Sequence, residues 1–231
     1  MILVIIPARG GSKGIPKKNI KLMNGKPLIH YTIEAARKCF SDRDICVSTD
    51  CDEIKEVVEQ IGLNIDFKRP ASLATDLATS ESIIHHALEF YETKGKHVDH
   101  VMLLQPTSPL RNGNHIKDAL NQYLNSDKEV EMLVSVKITD ANPYYVLAEE
   151  NELGYLKKSK ISNVTRRQDV PIVYEYNGAI YIYKVETLKK KAIKDFDKVI
   201  KYEMDAISSV DIDVPLDWKW AEYLLSTTGH E

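Results

Sequence analysis

The chain has 231 residues, 28% of them charged, with 31 Lys and Arg against 34 Asp and Glu and a formal net charge of −3. That length buries a substantial core as one domain, and the near balance of charge excludes both a disordered polyelectrolyte and a protein that coats nucleic acid. No apolar run approaches membrane-spanning length, so no membrane role is expected. No signal-peptide layout precedes the first predicted strand. Cys39, Cys46 and Cys51 form no Cys-x-x-Cys pair and read as reduced thiols of a cytoplasmic protein, not as a zinc site.

Residues 2–6 are apolar and predict a buried strand, which opens into a loop holding Arg9, Lys13, Lys17 and Lys18 around Gly10, Gly11 and Gly14. A buried strand that feeds mobile backbone and fixed positive charge is a common way for an α/β protein to present a polyphosphate site. Backbone N–H groups of the Gly10-Gly11-Ser12 turn can approach an anion because two of these residues have no side chain. The order Lys13-Gly14-Ile15 excludes a Walker A loop, and the glycine spacing excludes a dinucleotide fingerprint. The competing reading is a solvated lysine-rich turn, which suits Lys17 best.

Next the pattern predicts a helix over 28–38, a strand over 45–48 and a helix over 52–61, with Asp50 and Glu53 forming a capping box. A strand over 64–67 and a helix over 80–93 come after these, the latter capped by Thr79 or Ser80. Then come a strand over 101–104, a helix over 114–125 with Arg111 readable as a helix-start residue, and a strand over 132–136. This β–α alternation predicts a three-layer α/β fold with a mostly parallel mixed sheet. Between about 139 and 173 it lapses into short polar pieces, ANPYY and ENELGYLKKSK, read as an arm inserted into a single domain spanning 1–231. Strands over 179–183 and 199–203 and a helix over 215–225 complete the chain.

Charge is segregated between the two ends of the sequence. Residues 1–40 carry eight Lys and Arg against Glu34 alone, whereas residues 203–222 carry six carboxylates against Lys219. Cations that hold phosphate oxygens and carboxylates that hold a divalent ion are what a metal–nucleoside triphosphate requires. Asp211 and Asp213 flank Ile212, and alternate side chains of an extended segment share a face, so the pair can share one Mg²⁺ or Mn²⁺ ion. The competing reading is a polar turn in which Asp213 caps the following helix.

Several segments, in order, resemble the acylneuraminate cytidylyltransferases (CMP-sialic acid synthetases): ARGGSKGIPKKN at 8–19, VSTD at 47–50, RPASLATDLATS at 69–80, LLQPTSPLR at 103–111, RRQD at 166–169, NGAIYI at 177–182 and SVDID at 209–213. The resemblance implies a Rossmann-like nucleotide-sugar transferase fold with a small dimerisation arm. It also implies an enzyme that couples CTP to a nine-carbon 2-keto sugar acid and releases pyrophosphate, with Mg²⁺ as cofactor and a homodimer as the assembly. Arg9 and Lys18 would act on the phosphates with Lys13 assisting, Gly10, Gly11 and Ser12 supplying backbone, and Asn19 near ribose or phosphate. Arg69 and Ser80 would recognise the base. Gln105, Asn177 and Tyr181 would meet the sugar, although Tyr181 reads equally well as core. Arg167, with Arg166 as the fallback, would grip the sugar carboxylate through paired hydrogen bonds. Asp211 and Asp213 would hold the metal, and one of them could help remove the attacking hydroxyl's proton.

The segment before NGAIYI departs from the family pattern: many bacterial sialic acid enzymes carry a second basic residue shortly before it, whereas this chain reads VYEY, with Glu175, as some related enzymes do. A carboxylate facing the pocket would repel the sugar acid, so either it faces away or the substrate differs from N-acetylneuraminate. Three other functions compete with the leading one: a metal-dependent glycosyltransferase, a cytidylyltransferase for the eight-carbon sugar Kdo, and a non-enzymatic nucleotide-binding module.

Overall fold

In the computed structural model, which describes residues 1–163 and 166–227, the N-terminal apolar run becomes β1 (Ile2–Pro7). Its side chains alternate between two cores. Val4 and Ile6 pack with one cluster and Leu3 and Ile5 with another, all fully buried. A strand covered on both faces reads as a continuous apolar run for this reason.

Next is a short hairpin, β2 (Leu22–Met23) and β3 (Lys26–Pro27). It turns at Asn24 and Gly25 with φ of 48° and 80°, the positive pair that Asn-Gly adopts most readily. The alternating part continues through α1 (Leu28–Arg37), β4 (Ile45–Ser48), α2 (Asp52–Glu59), α3 (Ser80–Thr93), β5 (His100–Leu104), α4 (Gly113–Leu124) and β6 (Met132–Ile138). The arm carries a hairpin of β7 (Ala148–Glu150) and β8 (Leu156–Lys158). The chain then returns through β9 (Tyr174–Lys184), α5 (Val185–Leu188), β10 (Val199–Glu203) and α6 (Pro215–Thr227).

The main sheet has the order β10-β6-β9-β5-β1-β4. Strand β1 runs parallel to β4 and β5, and β10 runs parallel to β6. Only β9 is antiparallel, to β5 on one side and β6 on the other. Helices α1, α2 and α4 cover one face through Ile33, Val58 and Ile116, while α3 covers the other through Ile84 and Leu88. Complete burial of each such side chain contributes about 1.5–3 kcal/mol. The mostly parallel, three-layer α/β expectation therefore holds.

A third cluster ties the two ends of the chain together. Ile15 from the Gly-rich loop and Ile212 from the acidic segment are both buried against Leu28 and Trp218, beneath α6. Because Ile212 faces this cluster, its neighbours Asp211 and Asp213 are turned to the opposite side.

Several local expectations are corrected. Residues 64–67 form no strand; a single bridge, Thr49 to Lys68, is all that pairs there. Asp50 does not cap α2, whose N-cap is Cys51 without a side-chain bond. Its carboxylate instead accepts a 3.0 Å hydrogen bond from the Gly10 N–H. Arg111 does not start a helix either. Asn112 caps α4 in a capping box with His115, and Arg111 lies wholly buried, donating to Thr32 Oγ1 at 2.6 Å. Burial pushes its guanidinium down to about 9. Thr79 caps α3 as expected, its hydroxyl accepting from the Ser82 N–H. Among the described residues, no helix is long and apolar enough to cross a membrane.

Candidate active site

Parallel strands present ligands beyond their carboxyl ends, and a cleft of about 450 Å³ opens there, past β1 and β5. The loop after β1 gives Arg9, Ser12, Lys13, Lys18 and Asn19 to its wall. Arg69 and Ser80 line a second side, and Gln105 with Thr107, from the loop after β5, a third. Asp211 and Asp213 close it.

The basic loop and the acidic segment touch directly. Lys18 Nζ donates to the Ile212 carbonyl at 2.5 Å and lies 3.6 Å from Asp213 Oδ1. At Gly14 a Cβ would sit 2.2 Å from the Asp213 carbonyl oxygen, so only glycine lets the two backbones approach this closely. Asn19 steadies the loop from within, its amide donating to the Arg9 carbonyl at 3.0 Å. Asp213 is not used as a helix cap: the N–H groups of Asp213 and Val214 both donate to Asp217 Oδ2 at 2.9 Å.

Asp211 and Asp213 are both open to the cleft, and desolvation by the surrounding wall raises the Asp211 carboxyl above the ordinary range. The Thr107 hydroxyl and Lys18 pull it back down, while Asp213 pushes it up. Arg69 is buried; desolvation lowers its guanidinium, and the Asp50 carboxylate at 3.5 Å opposes that. Among the described residues its buried Nε has no hydrogen-bond partner, which leaves an unused donor in the wall of the cleft.

Two cleft residues that bond to the charged groups of the site, Asp76 and Thr107, escaped the sequence reading. Asp76 pairs with Arg9 at 2.8 Å and with Lys13, and the Lys13 contact, followed by Arg9, holds its carboxyl below the usual range. Both residues stand inside segments already singled out, RPASLATDLATS and LLQPTSPLR, so their neighbours were the available signal. A carboxylate bridging two phosphate-site cations has no local pattern that would announce it.

Other candidates lie elsewhere. Gly10 and Gly11 line a smaller adjoining cavity of about 350 Å³, and the Gly10 N–H is taken by Asp50 instead of facing open space. Lys17 is exposed and held by Glu53 at 2.7 and 2.8 Å. Tyr181 stacks on Tyr183 with ring centroids 6.2 Å apart; burial, and next the Asp211 charge, push its hydroxyl upward. Asn177 is buried and makes only internal hydrogen bonds. Arg167 stands on the arm, 66% exposed and bonded to Asp140, away from the cleft wall. Arg166 pairs with Asp169 at 2.7 Å. Glu175 is held by Lys137 at 3.3 Å and by the Thr139 hydroxyl at 2.8 Å, and it does not line the cleft.

A family model described as cytidylyltransferase matches residues 3–221. The chain belongs to the cytidylyltransferase family. This family member is 35% identical over 218 residues to an N-acylneuraminate cytidylyltransferase of Streptococcus agalactiae, a match that covers 94% of this chain and 51% of that protein. It thus spans about half the length of the streptococcal relatives it matches. It is also 32% identical over 228 residues to a CMP-N,N'-diacetyllegionaminic acid synthase of Legionella pneumophila, covering 97% of this chain and 96% of that one. Among solved structures, a CMP:2-keto-3-deoxy-manno-octonic acid synthetase complexed with CTP superposes with a TM-score of 0.71 over 97% of this chain and 98% of that one, at 18% identity. At that identity the likeness shows the fold.

Proposed function

We propose that this cytidylyltransferase couples CTP to a nine-carbon 2-keto sugar acid of the nonulosonate class, giving the CMP-sugar and pyrophosphate. The observation that carries the reading is the direct contact of a loop cation with the acidic segment: Lys18 meets Ile212 and Asp213 at 2.5 and 3.6 Å on one wall of the cleft. The streptococcal and Legionella relatives, which match most of this chain, are named for sugars of this class.

In such a transfer the sugar hydroxyl attacks the α-phosphorus and the bond to pyrophosphate breaks. Negative charge accumulates on phosphate oxygens, and positioned cations supply most of the stabilisation. Arg9 and Lys18 are placed for this, with Lys13 at the mouth. Asp76 must yield Arg9 and Lys13 as a triphosphate takes its place. Arg69 and Ser80 would face the base and Gln105 the sugar.

Asp211 and Asp213 fit a divalent cation shared with a triphosphate. Among the described residues no cluster of three or more His, Cys, Asp or Glu could enclose an ion by itself. Magnesium accepts one or two carboxylates when phosphate oxygens and water complete its shell, and this donor set matches that. When bound, the ion would neutralise phosphate charge and hold the triphosphate in line.

The arm supports a homodimer. Leu153, Tyr155, Leu156, Ile161 and Ile172 are all exposed along it, a concentration of apolar surface that a second copy would cover. The same contact would let Arg167 reach a sugar carboxylate from the arm.

Pyrophosphate release with CTP, Mg²⁺ and a panel of nonulosonic acids tests the reading, with ATP, GTP, UTP and an eight-carbon 2-keto sugar acid as controls. CTP-specific release that requires a nine-carbon acid is the expected result. Release only with the eight-carbon acid would transfer the assignment to a Kdo-type enzyme, and CTP binding without release would withdraw the chemistry.

A further inference from the structure

We infer that Asn177 is a positioning residue for the acidic pair, joining the irregularity in β9 to the segment that carries Asp211 and Asp213 through a buried Ser135–Asn177–Ser209 chain. The inference rests on the proposed role of that pair toward a divalent ion.

The irregularity is visible in the register. Val136 of β6 pairs with Tyr176, whereas Val134 pairs with Tyr181, so Ser135 alone faces residues 177–180. Extra residues of this kind bend a strand and re-aim the side chains beside them. Gly178 takes a φ of +75° there. A Cβ on it would lie 3.4 Å from Asp211 Oδ2, so the bulge brings bare backbone against the Asp211 carboxylate.

Asn177 is 3% exposed and its carboxamide is fully used. Oδ1 accepts from the Ser135 hydroxyl at 2.6 Å and from the Ala179 N–H at 3.2 Å. Nδ2 donates to the Ser209 hydroxyl at 2.8 Å and to Met204 Sδ at 3.4 Å. Ser135 in turn accepts from the Ile180 N–H at 2.7 Å. A group with two donors and two acceptor sites is what this position needs, and asparagine supplies it. Ser209 precedes Asp211 by two residues. On the far side of the segment, the Ile212 N–H donates to the Thr107 carbonyl at 2.9 Å. Asp211 is therefore located between β9 on one side and the loop after β5 on the other. All three side chains of the chain are buried and satisfied, and a satisfied polar network specifies one geometry.

Partners that orient metal-holding side chains without touching the metal typically govern affinity by 10- to 100-fold. Mn²⁺ binding to the protein–CTP complex, followed by electron paramagnetic resonance, reads this without turnover. Ser209→Ala and Asn177→Ser should weaken Mn²⁺ by about 10-fold or more while circular dichroism stays native and the sugar KM stays near wild type. Asn177→Leu is the harsher variant. If it fails to fold, Ser209→Ala, which cuts only the last link, still decides the matter. Unchanged Mn²⁺ affinity in folded Ser209→Ala and Asn177→Ser would overturn the inference. So would a sugar KM raised at unchanged Mn²⁺ affinity, which would make Asn177 a sugar contact. Asp213→Asn separates the two levels. Loss of Mn²⁺ binding there upholds the acidic pair independently of Asn177, whereas full retention removes the pair's role and the positioning role with it.

Discussion

The cleft and the arm are built in opposite ways. In the cleft, every element is tied to another: Gly14 abuts the Asp213 backbone, Lys18 bonds the Ile212 carbonyl, and Ile15 and Ile212 share one buried cluster. The arm instead exposes Tyr155, Leu156 and Ile161, and its candidate sugar ligand Arg167 is 66% exposed. Lys18, held by this packed scaffold, needs no reorganisation to stabilise phosphate charge, and Arg9 and Lys13 need only exchange Asp76 for phosphate oxygens. Exposed charged groups must first be fixed by something else. Under the proposed function, the phosphate half of the site is thus complete within one chain, and the sugar half is not.

The sharpest way to break this contrast is at Lys18. Lys18→Ala should lower kcat by about 10²–10³-fold, the usual cost of removing one preorganised charge stabiliser, and should leave the fold intact because Ile15 and Ile212 still pack. Steady-state kinetics with a melting curve checks both. A variant with near-normal kcat would show that the cleft's interlocking is structural only. Next in size is Arg167→Ala. Loss of a charge-assisted hydrogen bond of about 1.5–3 kcal/mol corresponds to about 10- to 100-fold in kcat/KM for the sugar, with the CTP KM unchanged. An equal effect on both substrates would erase the division between the two halves.

Leu156→Asp combined with Ile161→Asp addresses the assembly. Light scattering should show a dimer becoming monomer, and the sugar KM should rise on the order of tenfold, equivalent to about 1.4 kcal/mol. Nucleotide binding by calorimetry should hold, since among the described residues none on the arm lines the cleft. A monomeric variant with an unaltered sugar KM would mean that the arm serves assembly alone.

The same contrast explains what was legible in the sequence. The continuous apolar run of β1 and the β–α alternation that follows it gave the layers, because a strand buried on both faces reads as an unbroken apolar stretch. That Arg9 and Lys18 line one cleft with Asp211 and Asp213 was readable from charge segregation, since a basic loop and an acidic segment find each other in a ligand site. The strand expected at 64–67 fails because Ile65 and Phe67 pack on the cores while the backbone beside β4 makes one bridge; local pattern reports burial, not pairing. Asp50 matches a capping box locally, yet its carboxylate is claimed by Gly10, 40 residues away. Asn24-Gly25 is a local signal for the β2–β3 hairpin, but strands of two residues are too short to show an alternating pattern beside it. Strand direction in β9 and the links of Asn177 are set by tertiary neighbours and have no sequence signature.

The smallest effect is expected where neither half of the site is touched. Glu131 lies just before β6, at the amino ends of the parallel strands and so on the far side of the sheet from the cleft. It ion-pairs with Lys191 at 2.9 Å and accepts from the Asp197 and Lys198 N–H groups at 2.9 and 3.2 Å. The Lys191 contact, chiefly, takes its carboxyl down to about 2, against about 4.3 in an unfolded chain. Between those values the unfolded state binds more protons, so stability rises with pH. The contribution of Glu131 is therefore fully present above about pH 4.3 and is lost as the pH falls toward 2. Glu131→Gln keeps the shape and an acceptor oxygen but removes the charge. Its melting temperature should sit a few degrees below wild type at neutral pH, with the gap narrowing in acid, while kcat and both KM values stay unchanged. A gap independent of pH would assign the effect to hydrogen-bond geometry instead of charge. A change in kcat would show that the sheet transmits strain from its amino edge to the cleft, which the separate anchoring of Asp211 and Asp213 by Thr107 and α6 argues against.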